Sequence, residues 1–157
     1  ITGGVGFIGA NLAEELVKQK YNVISLDNYS FGSKENEIKG VTYFNHDIED
    51  INKINKSIDV CFHLAAMARV QPSFEVPMEY FRVNVVGTQN LLKACSENLV
   101  KKIVHVSSMS VFGYSRDHTA LREDSPKLPV STYGQSKLEA EIFVTDYCKK
   151  KSIELVV

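Results

Sequence analysis

The fold is set by Thr2-Gly3-Gly4-Val5-Gly6-Phe7-Ile8-Gly9, in which glycines recur at positions 3, 6 and 9 directly before a helical pattern. Such a turn lets the backbone approach a pyrophosphate, whose charge then lies at the positive N-terminus of the helix. Asp27 follows 18 residues after Gly9, at the end of an apolar run. A carboxylate there would bind an adenosine ribose and repel a 2′-phosphate, which favours NAD over NADP. The alternative is a tight turn followed by a surface aspartate.

Apolar runs alternate with helical patterns along the rest of the chain. The sequence predicts strands at 22–27, 41–45, 58–64, 102–107 and 153–157, and helices at 8–19, 50–57, 77–97 and 132–150. The strands are short, β-branched and almost continuously apolar, as in a parallel sheet covered on both faces. The alternation predicts an α/β fold, a Rossmann-like doubly wound parallel sheet with helices on both faces.

The two ends of the chain lead us to expect a fragment. No Met opens it, the glycine turn begins almost at once, and the apolar run 153–157 ends as an unpaired strand. We therefore expect residues 1–157 to be one NAD-binding Rossmann domain, truncated at both ends. Most of the first strand and a C-terminal substrate-binding region would then lie outside it.

The composition argues against several classes of protein. The 157 residues carry 18 Lys+Arg and 19 Asp+Glu, so no basic surface is expected for nucleic acid, and no apolar run is long enough to cross a membrane. Few cysteines and no C-x-x-C argue against disulfides and favour a reducing, cytoplasmic location. No metal site is expected, because the histidines lack ligand spacing. The residues concerned are Cys61, Cys95, Cys148, His46, His63, His105 and His118.

Tyr133 and Lys137 are four residues apart, so they lie one above the other on a helix. That face continues through Ala140 and Val144, so Lys137 points where apolar side chains are buried, and its ammonium needs a partner there. A cofactor ribose and the neighbouring phenol would serve. A free phenol titrates at about 10 and becomes a base near neutrality only beside positive charge. The alternative is an amphipathic helix with a lysine that reaches solvent.

Two further residues bear on the same site. Ser108 follows the predicted strand 102–107, at the sheet edge where doubly wound folds bind ligands, and would hold a substrate oxygen. The alternative is a serine that closes the strand with local backbone bonds. Asn84 is a polar residue on the apolar stripe of its helix. It would steady a water or the backbone near Lys137, or serve as a structural amide.

With these features in place, the sequence resembles the extended short-chain dehydrogenase/reductase family, in its NAD-dependent nucleotide-sugar epimerase/dehydratase branch. The matching pieces run in the family's order: TGGVGFIG (2–9), LDN (26–28), HDI (46–48), HLAA (63–66), NVVGT (84–88), VSSMSVFG (106–113) and YGQSKLEAE (133–141). The resemblance implies NAD as cofactor, a nucleotide sugar such as a UDP-hexose as substrate, and a homodimer when the chain is full length.

The resemblance also implies roles for individual residues. The catalytic residues would be Ser108, Tyr133 and Lys137. The cofactor-binding residues would be Gly3, Gly6, Phe7, Ile8, Gly9, Asp27, Asn28, Asp47, Ile48, Leu64, Ala65, Ala66, Asn84, Tyr133 and Lys137. The substrate-binding residues would be Arg69, Ser73, Ser108 and Tyr133.

Departures from the family pattern bear on the reaction. The family's 4,6-dehydratases usually carry an Asp-Glu pair just after the catalytic hydroxyl, where this chain has Met109 and Ser110. Phe112 replaces a usual Tyr. The resemblance therefore implies an epimerase acting at C4 of a UDP-hexose, an activity expected of the full-length protein and not of the fragment alone. The alternatives are a dehydratase or reductase of the same family, and an NAD-binding module without catalysis.

Overall fold

A computed structural model describes residues 1–53, 57–115 and 120–157. Its helices are α1 (Phe7–Lys18), α2 (Pro72–Glu75), α3 (Pro77–Phe81), α4 (Gly87–Glu97) and α5 (Thr132–Lys151). Its strands are β1 (Val23–Asp27), β2 (Val41–Asn45), β3 (Val60–His63), β4 (Lys102–His105) and β5 (Glu154–Val156). Within these described ranges, no helix is both long and apolar enough to cross a membrane.

All strand pairs are parallel, and the first residues of the chain join them into one array. β1 pairs with β2, while β3 pairs with β4 and β4 with β5. Thr2 bridges both Leu26 of β1 and His63 of β3, so the order is β2, β1, the Thr2 segment, β3, β4 and β5. The chain thus builds outward to one side of Thr2 and then to the other. Such a reversal of strand order is typical of doubly wound folds, which bind ligands there. The observed strand order therefore confirms the predicted fold class.

The main core lies between the sheet and helices α4 and α5. Leu26, Cys61 and Ile103 point from three strands into a cluster that includes Leu92 of α4 and Val144 of α5. Successive residues of a strand face opposite sides, so the neighbours of Leu26 point the other way, toward α1. The sheet is therefore covered by helices on both faces.

Two predicted helices differ from the structure. Residues 48–53 form a 3₁₀ turn where we predicted a helix over 50–57, and residues 54–56 lie outside the described part of the chain, as does His118. The predicted helix 77–97 is interrupted between α3 and α4 by a π-helical turn, Arg82–Val86. π turns are often found at functional sites.

Candidate active site

A cleft of about 720 Å³ opens at the carboxyl ends of the strands. Its walls come from the glycine turn, the ends of β1, β3 and β4, and the start of α5. Most of the predicted cofactor residues line it: Gly3, Gly6, Phe7, Ile8, Gly9, Asp27, Asn28, Asp47, Ile48, Leu64, Ala65, Ala66, Tyr133 and Lys137. The volume and the spread of the lining over several strand ends suit a ligand as large as a dinucleotide.

The glycine turn brings backbone to the floor of this cleft. Gly3 has φ +75°, and a Cβ there would lie 2.8 Å from the Ala65 nitrogen, so the position requires glycine. A Cβ at Gly9 would lie 2.1 Å from the Gly3 oxygen, so only glycine lets α1 approach the turn. Gly6 caps α1 in an extended conformation and lines the cleft. The free amides and positive end of α1 can therefore face a bound phosphate.

Asp27 connects the end of β1 to the glycine turn. One carboxylate oxygen accepts from the Val5 amide (3.1 Å) and the other from the Tyr29 amide (2.9 Å). Asn28 donates to Asp47 across the cleft mouth (2.9 Å). A carboxylate oxygen can accept more than one hydrogen bond, so Asp27 retains capacity for ribose hydroxyls. Its charge still opposes a 2′-phosphate.

Lys137 is 5% exposed, and its ammonium donates to the Val106 carbonyl at 2.6 Å. Burial lowers the pKa of Lys137 to about 8, while the nearby Glu141 carboxylate acts to raise it. The lysine therefore remains mainly protonated at neutral pH. Tyr133, one helical turn earlier, is 9% exposed and lies edge-on to the buried Tyr80 ring. The phenol and the ammonium thus share one wall of the cleft.

Ser108 caps a 3₁₀ turn, Met109–Val111, which begins after the two residues that follow β4. Its Oγ accepts from the Ser110 amide at 3.2 Å, which leaves the hydroxyl proton for a substrate oxygen. Ser107, its neighbour, is among the cleft-lining residues, whereas Ser108 is not. Ser108 is thus the residue next to the cleft wall and not part of it.

Asn84 lies behind the cleft wall. It is 1% exposed and sits in the π-helical turn. Its amide accepts from the Met67 amide (2.8 Å) and donates to the Met67 carbonyl (3.1 Å) and to Ser136 Oγ (3.0 Å). Asn84 was expected to steady a water or the backbone near Lys137, to serve as a structural amide or, by the resemblance, to contact the cofactor. This geometry favours support of the Met67 loop and α5.

The two expected substrate contacts in the 68–73 loop differ in their exposure. Ser73 is fully buried in α2, and its hydroxyl donates to the Val70 carbonyl (2.6 Å). The hydroxyl thus closes the turn that leads into α2, and the expected substrate contact stays a prediction. Arg69 is exposed, and its carbonyl accepts from Tyr80 (2.5 Å). Neither residue lines the cleft.

A buried hydrogen-bond chain that the sequence did not reveal supports the cleft. Thr88 donates to the Asn84 carbonyl (2.6 Å), so it must accept from His63 Nε2 (2.8 Å). Neutral His63 then accepts at Nδ1 from Thr2 (2.8 Å), which accepts from the Ala65 amide (3.2 Å). Burial, then the neighbouring His105 and Lys137, lowers the pKa of His63, which agrees with the neutral ring. Polar residues at strand ends and on apolar helix stripes were the only signal.

Ion pairs stabilise the remaining part of the cleft mouth. Arg82 pairs with Glu49 (2.6 Å) and Glu79 (2.9 Å), and both Arg82 and Glu79 line the cleft near Asp47. Within the described residues, no group of three His, Cys, Asp or Glu side chains is placed to hold a metal ion. The glycine turn and the start of α1 are the part of the cleft that fits a phosphate-bearing cofactor.

Comparisons with known proteins agree with this geometry. The family model described as GDP-mannose 4,6 dehydratase matches residues 1–157. A UDP-glucose 4-epimerase of Halalkalibacterium halodurans is 36% identical over 90% of this chain and 43% of its own length. The human dTDP-D-glucose 4,6-dehydratase is 32% identical over 100% of this chain and 48% of its own. The chain thus spans about half the length of the curated relatives it matches.

A solved structure extends the comparison to three dimensions. The Thermus thermophilus UDP-glucose 4-epimerase, crystallised with NAD, superposes with a TM-score of 0.93 at 33% identity. The match covers 98% of this chain and 51% of that one. The similarity therefore extends over almost the whole fold described above.

Proposed function

The chain belongs to the NAD-dependent nucleotide-sugar epimerase/dehydratase family of short-chain dehydrogenases/reductases, and on that premise we propose that its protein is a UDP-hexose 4-epimerase. NAD would be the cofactor, and the homodimer and cytoplasmic location expected from the sequence remain part of the proposal. Three free, buried cysteines agree with a reducing compartment. The epimerases among the relatives support the reaction.

The observation that carries the proposal is the pairing of Tyr133 with a buried Lys137 at the cleft. An ammonium that is 5% exposed is costly to bury unless it stabilises negative charge nearby. It lies one helical turn from a phenol that lines the same cleft. The ammonium is thus placed to stabilise negative charge on the Tyr133 oxygen, as a base that oxidises an alcohol requires.

The residues then act in sequence on the sugar. Tyr133 takes the proton of the 4-hydroxyl, Lys137 stabilises the resulting charge, and Ser108 donates a hydrogen bond to the reacting oxygen. NAD would supply the hydride acceptor and donor. The 4-keto sugar then rotates in the cleft and presents its other face. Tyr133 returns the proton to the oxygen of the epimer. The reaction therefore has no net redox change.

A second candidate is a 4,6-dehydratase, favoured by the family model and by the human relative. Water elimination needs an additional acid and base beside the catalytic hydroxyl. Met109 and Ser110 occupy those positions and supply neither. Analysis of the product distinguishes the two reactions, because an epimerase releases an isomer and a dehydratase releases a 4-keto-6-deoxy sugar.

The test is Tyr133→Phe in the protein that contains this chain. Because the ring is retained, we expect NAD binding within about twofold of the parent and a loss of turnover of at least about a thousandfold, near the upper part of the range for an acid–base residue. Product analysis on a panel of UDP-hexoses gives the rate. Tyr114→Phe is the matched control, since Tyr114 is 79% exposed. Retained epimerisation by Tyr133→Phe would reject the mechanism.

A further inference from the structure

One buried carboxylate beside the cleft has no part in the proposed reaction. Glu141 is 9% exposed and is not among the residues that line the cleft. One of its oxygens accepts from Ser107 Oγ at 2.6 Å, and the other pairs with the Lys127 ammonium. A buried carboxylate is costly unless both oxygens are satisfied, and here both are. The arrangement is therefore a built contact and not a chance surface pair.

Two side chains of α5, those of Lys137 and Glu141, contact the two successive residues that follow β4. They lie four residues apart on α5, so they point to the same side of the helix. Lys137 donates to the Val106 carbonyl, and Glu141 accepts from the side chain of Ser107, the next residue. Ser108 follows immediately. The two residues between β4 and Ser108 are thus fixed by two side chains of the helix that also carries Tyr133.

The charges around Lys137 come from several elements. His63 of β3 and His105 of β4 face it from the sheet, and Glu141 follows it on α5. Burial acts to raise the pKa of Glu141, but the bonds from Lys127 and Ser107 outweigh this and hold it below its usual value. Both histidines are neutral at pH 7, because burial lowers their pKa values. Glu141 is therefore the negative charge that acts on Lys137.

We infer that Glu141 is a positioning residue of the active site, which fixes Ser107 and the segment after β4 against α5 and places a negative charge on the same side of the helix as Lys137. The inference rests on the proposed function for its kinetic effect. It assigns Glu141 no contact with cofactor or sugar. Lys127, whose ammonium also lies 5.8 Å from the Phe112 ring centre, ties the segment before α5 to the same carboxylate.

The first test is Glu141→Gln in the full-length protein, with Glu139→Gln as control. The control removes the same charge from the same helix, where Glu139 bonds only to Gln135 among the contacts described. Because the shape is retained and the charge is lost, we expect kcat for Glu141→Gln to fall between about tenfold and a hundredfold. KM and NAD binding should change less than about twofold.

The pH profile separates this role from a purely structural one. The Glu141 carboxylate raises the pKa of Lys137, which is about 8, so its loss should lower that pKa and the ammonium should be lost at lower pH. The high-pH limb of kcat should move down by about one unit. Equal kcat and equal limbs for Glu141→Gln and Glu139→Gln would overturn the inference.

Two further measurements keep the test decisive. If Glu141→Gln does not fold, Ser107→Ala is used instead, because it keeps the charge of Glu141 and removes the hydrogen bond to it. We then expect kcat to fall while the high-pH limb stays in place. An undiminished kcat would overturn the inference. If the protein turns over no UDP-hexose, the titration of Lys137 is followed through the ¹³Cε shift of labelled lysine, with Lys137→Met identifying its signal. An unchanged midpoint in Glu141→Gln then overturns the inference independently of the reaction.

Discussion

Gly9 controls how closely the first helix approaches the phosphate end of the cleft. A Cβ at this position would lie 2.1 Å from the Gly3 oxygen and 2.8 Å from the Gly4 Cα, both rigid backbone atoms. A side chain must therefore displace either the turn or α1. Gly6 is less restricted than Gly9, because a Cβ at Gly6 would lie 3.4 Å from the Gly3 oxygen.

We predict that Gly9→Ala lowers the free energy of unfolding by about 2 kcal/mol or more and weakens NAD binding, because the clash moves the turn. Gly6→Ala, with φ −76° at that position, should keep the stability within about 1 kcal/mol. Chemical unfolding of both variants in the full-length protein makes the comparison. Equal stability of the two would contradict the role given to Gly9.

Single residues were predictable where a motif fixes their chemistry. Tyr133, Lys137 and the glycines lie at the cleft because spacing alone places them on one helix face or one turn. Ser73 was not predictable, since its burial depends on how the loop folds back on Val70. Glu141 was missed because a charged residue beside a buried stripe looks like a solvent-exposed one until its partners are known.

Helix α5 carries two of the three proposed catalytic residues, so its first turn matters to the site. Ser131 caps it, with Oγ accepting from the Gly134 amide at 3.0 Å in a buried setting. Tyr133 lies in the same turn. Fraying there would move the phenol.

We predict that Ser131→Ala costs about 1 kcal/mol of stability, since it leaves a buried helix amide without its acceptor. Ser33→Ala removes a cap of the same chemistry from the exposed turn Lys34–Asn36 and should cost less than about 0.5 kcal/mol. Thermal unfolding measures both. The prediction fails if the two variants unfold at the same temperature.

At the level of elements, most strands and helices followed from apolar periodicity, and the exceptions have physical causes. Residues 82–86 keep the apolar stripe of the helix predicted over 77–97, so the sequence pattern does not distinguish the wider π turn. The turn at 48–53 is held by tertiary packing, because Ile48 and Ile51 are buried against the core. Apolar periodicity does not distinguish such a 3₁₀ turn from an α-helix.

For the whole molecule, the buried histidines link stability to pH. Burial and the Lys137 charge lower the pKa of His105 to about 4, below an unfolded value of about 6.5. A lowered pKa stabilises the fold fully above pH 6.5, and this contribution is lost as pH falls from 6.5 toward 4. The shift corresponds to about 3 kcal/mol, and His63 adds to it in the same direction.

We therefore predict that the melting temperature falls as pH is lowered from 7.5 to 5, and that His105→Leu reduces the slope. Among the described residues, neither ring nitrogen of His105 has a hydrogen-bond partner, so leucine forfeits no bond found there. Thermal melts of the full-length variants across this range measure the slope. An unchanged slope would show that His105 does not titrate on unfolding.

The cleft draws its lining from both sides of the sheet. Asp27 ends β1 on one side of the Thr2 segment, and Ala65 follows β3 on the other. A dinucleotide lying in the cleft would therefore contact both sides at once. Because only the folded sheet offers that arrangement, cofactor binding would raise the free energy of unfolding of the whole molecule.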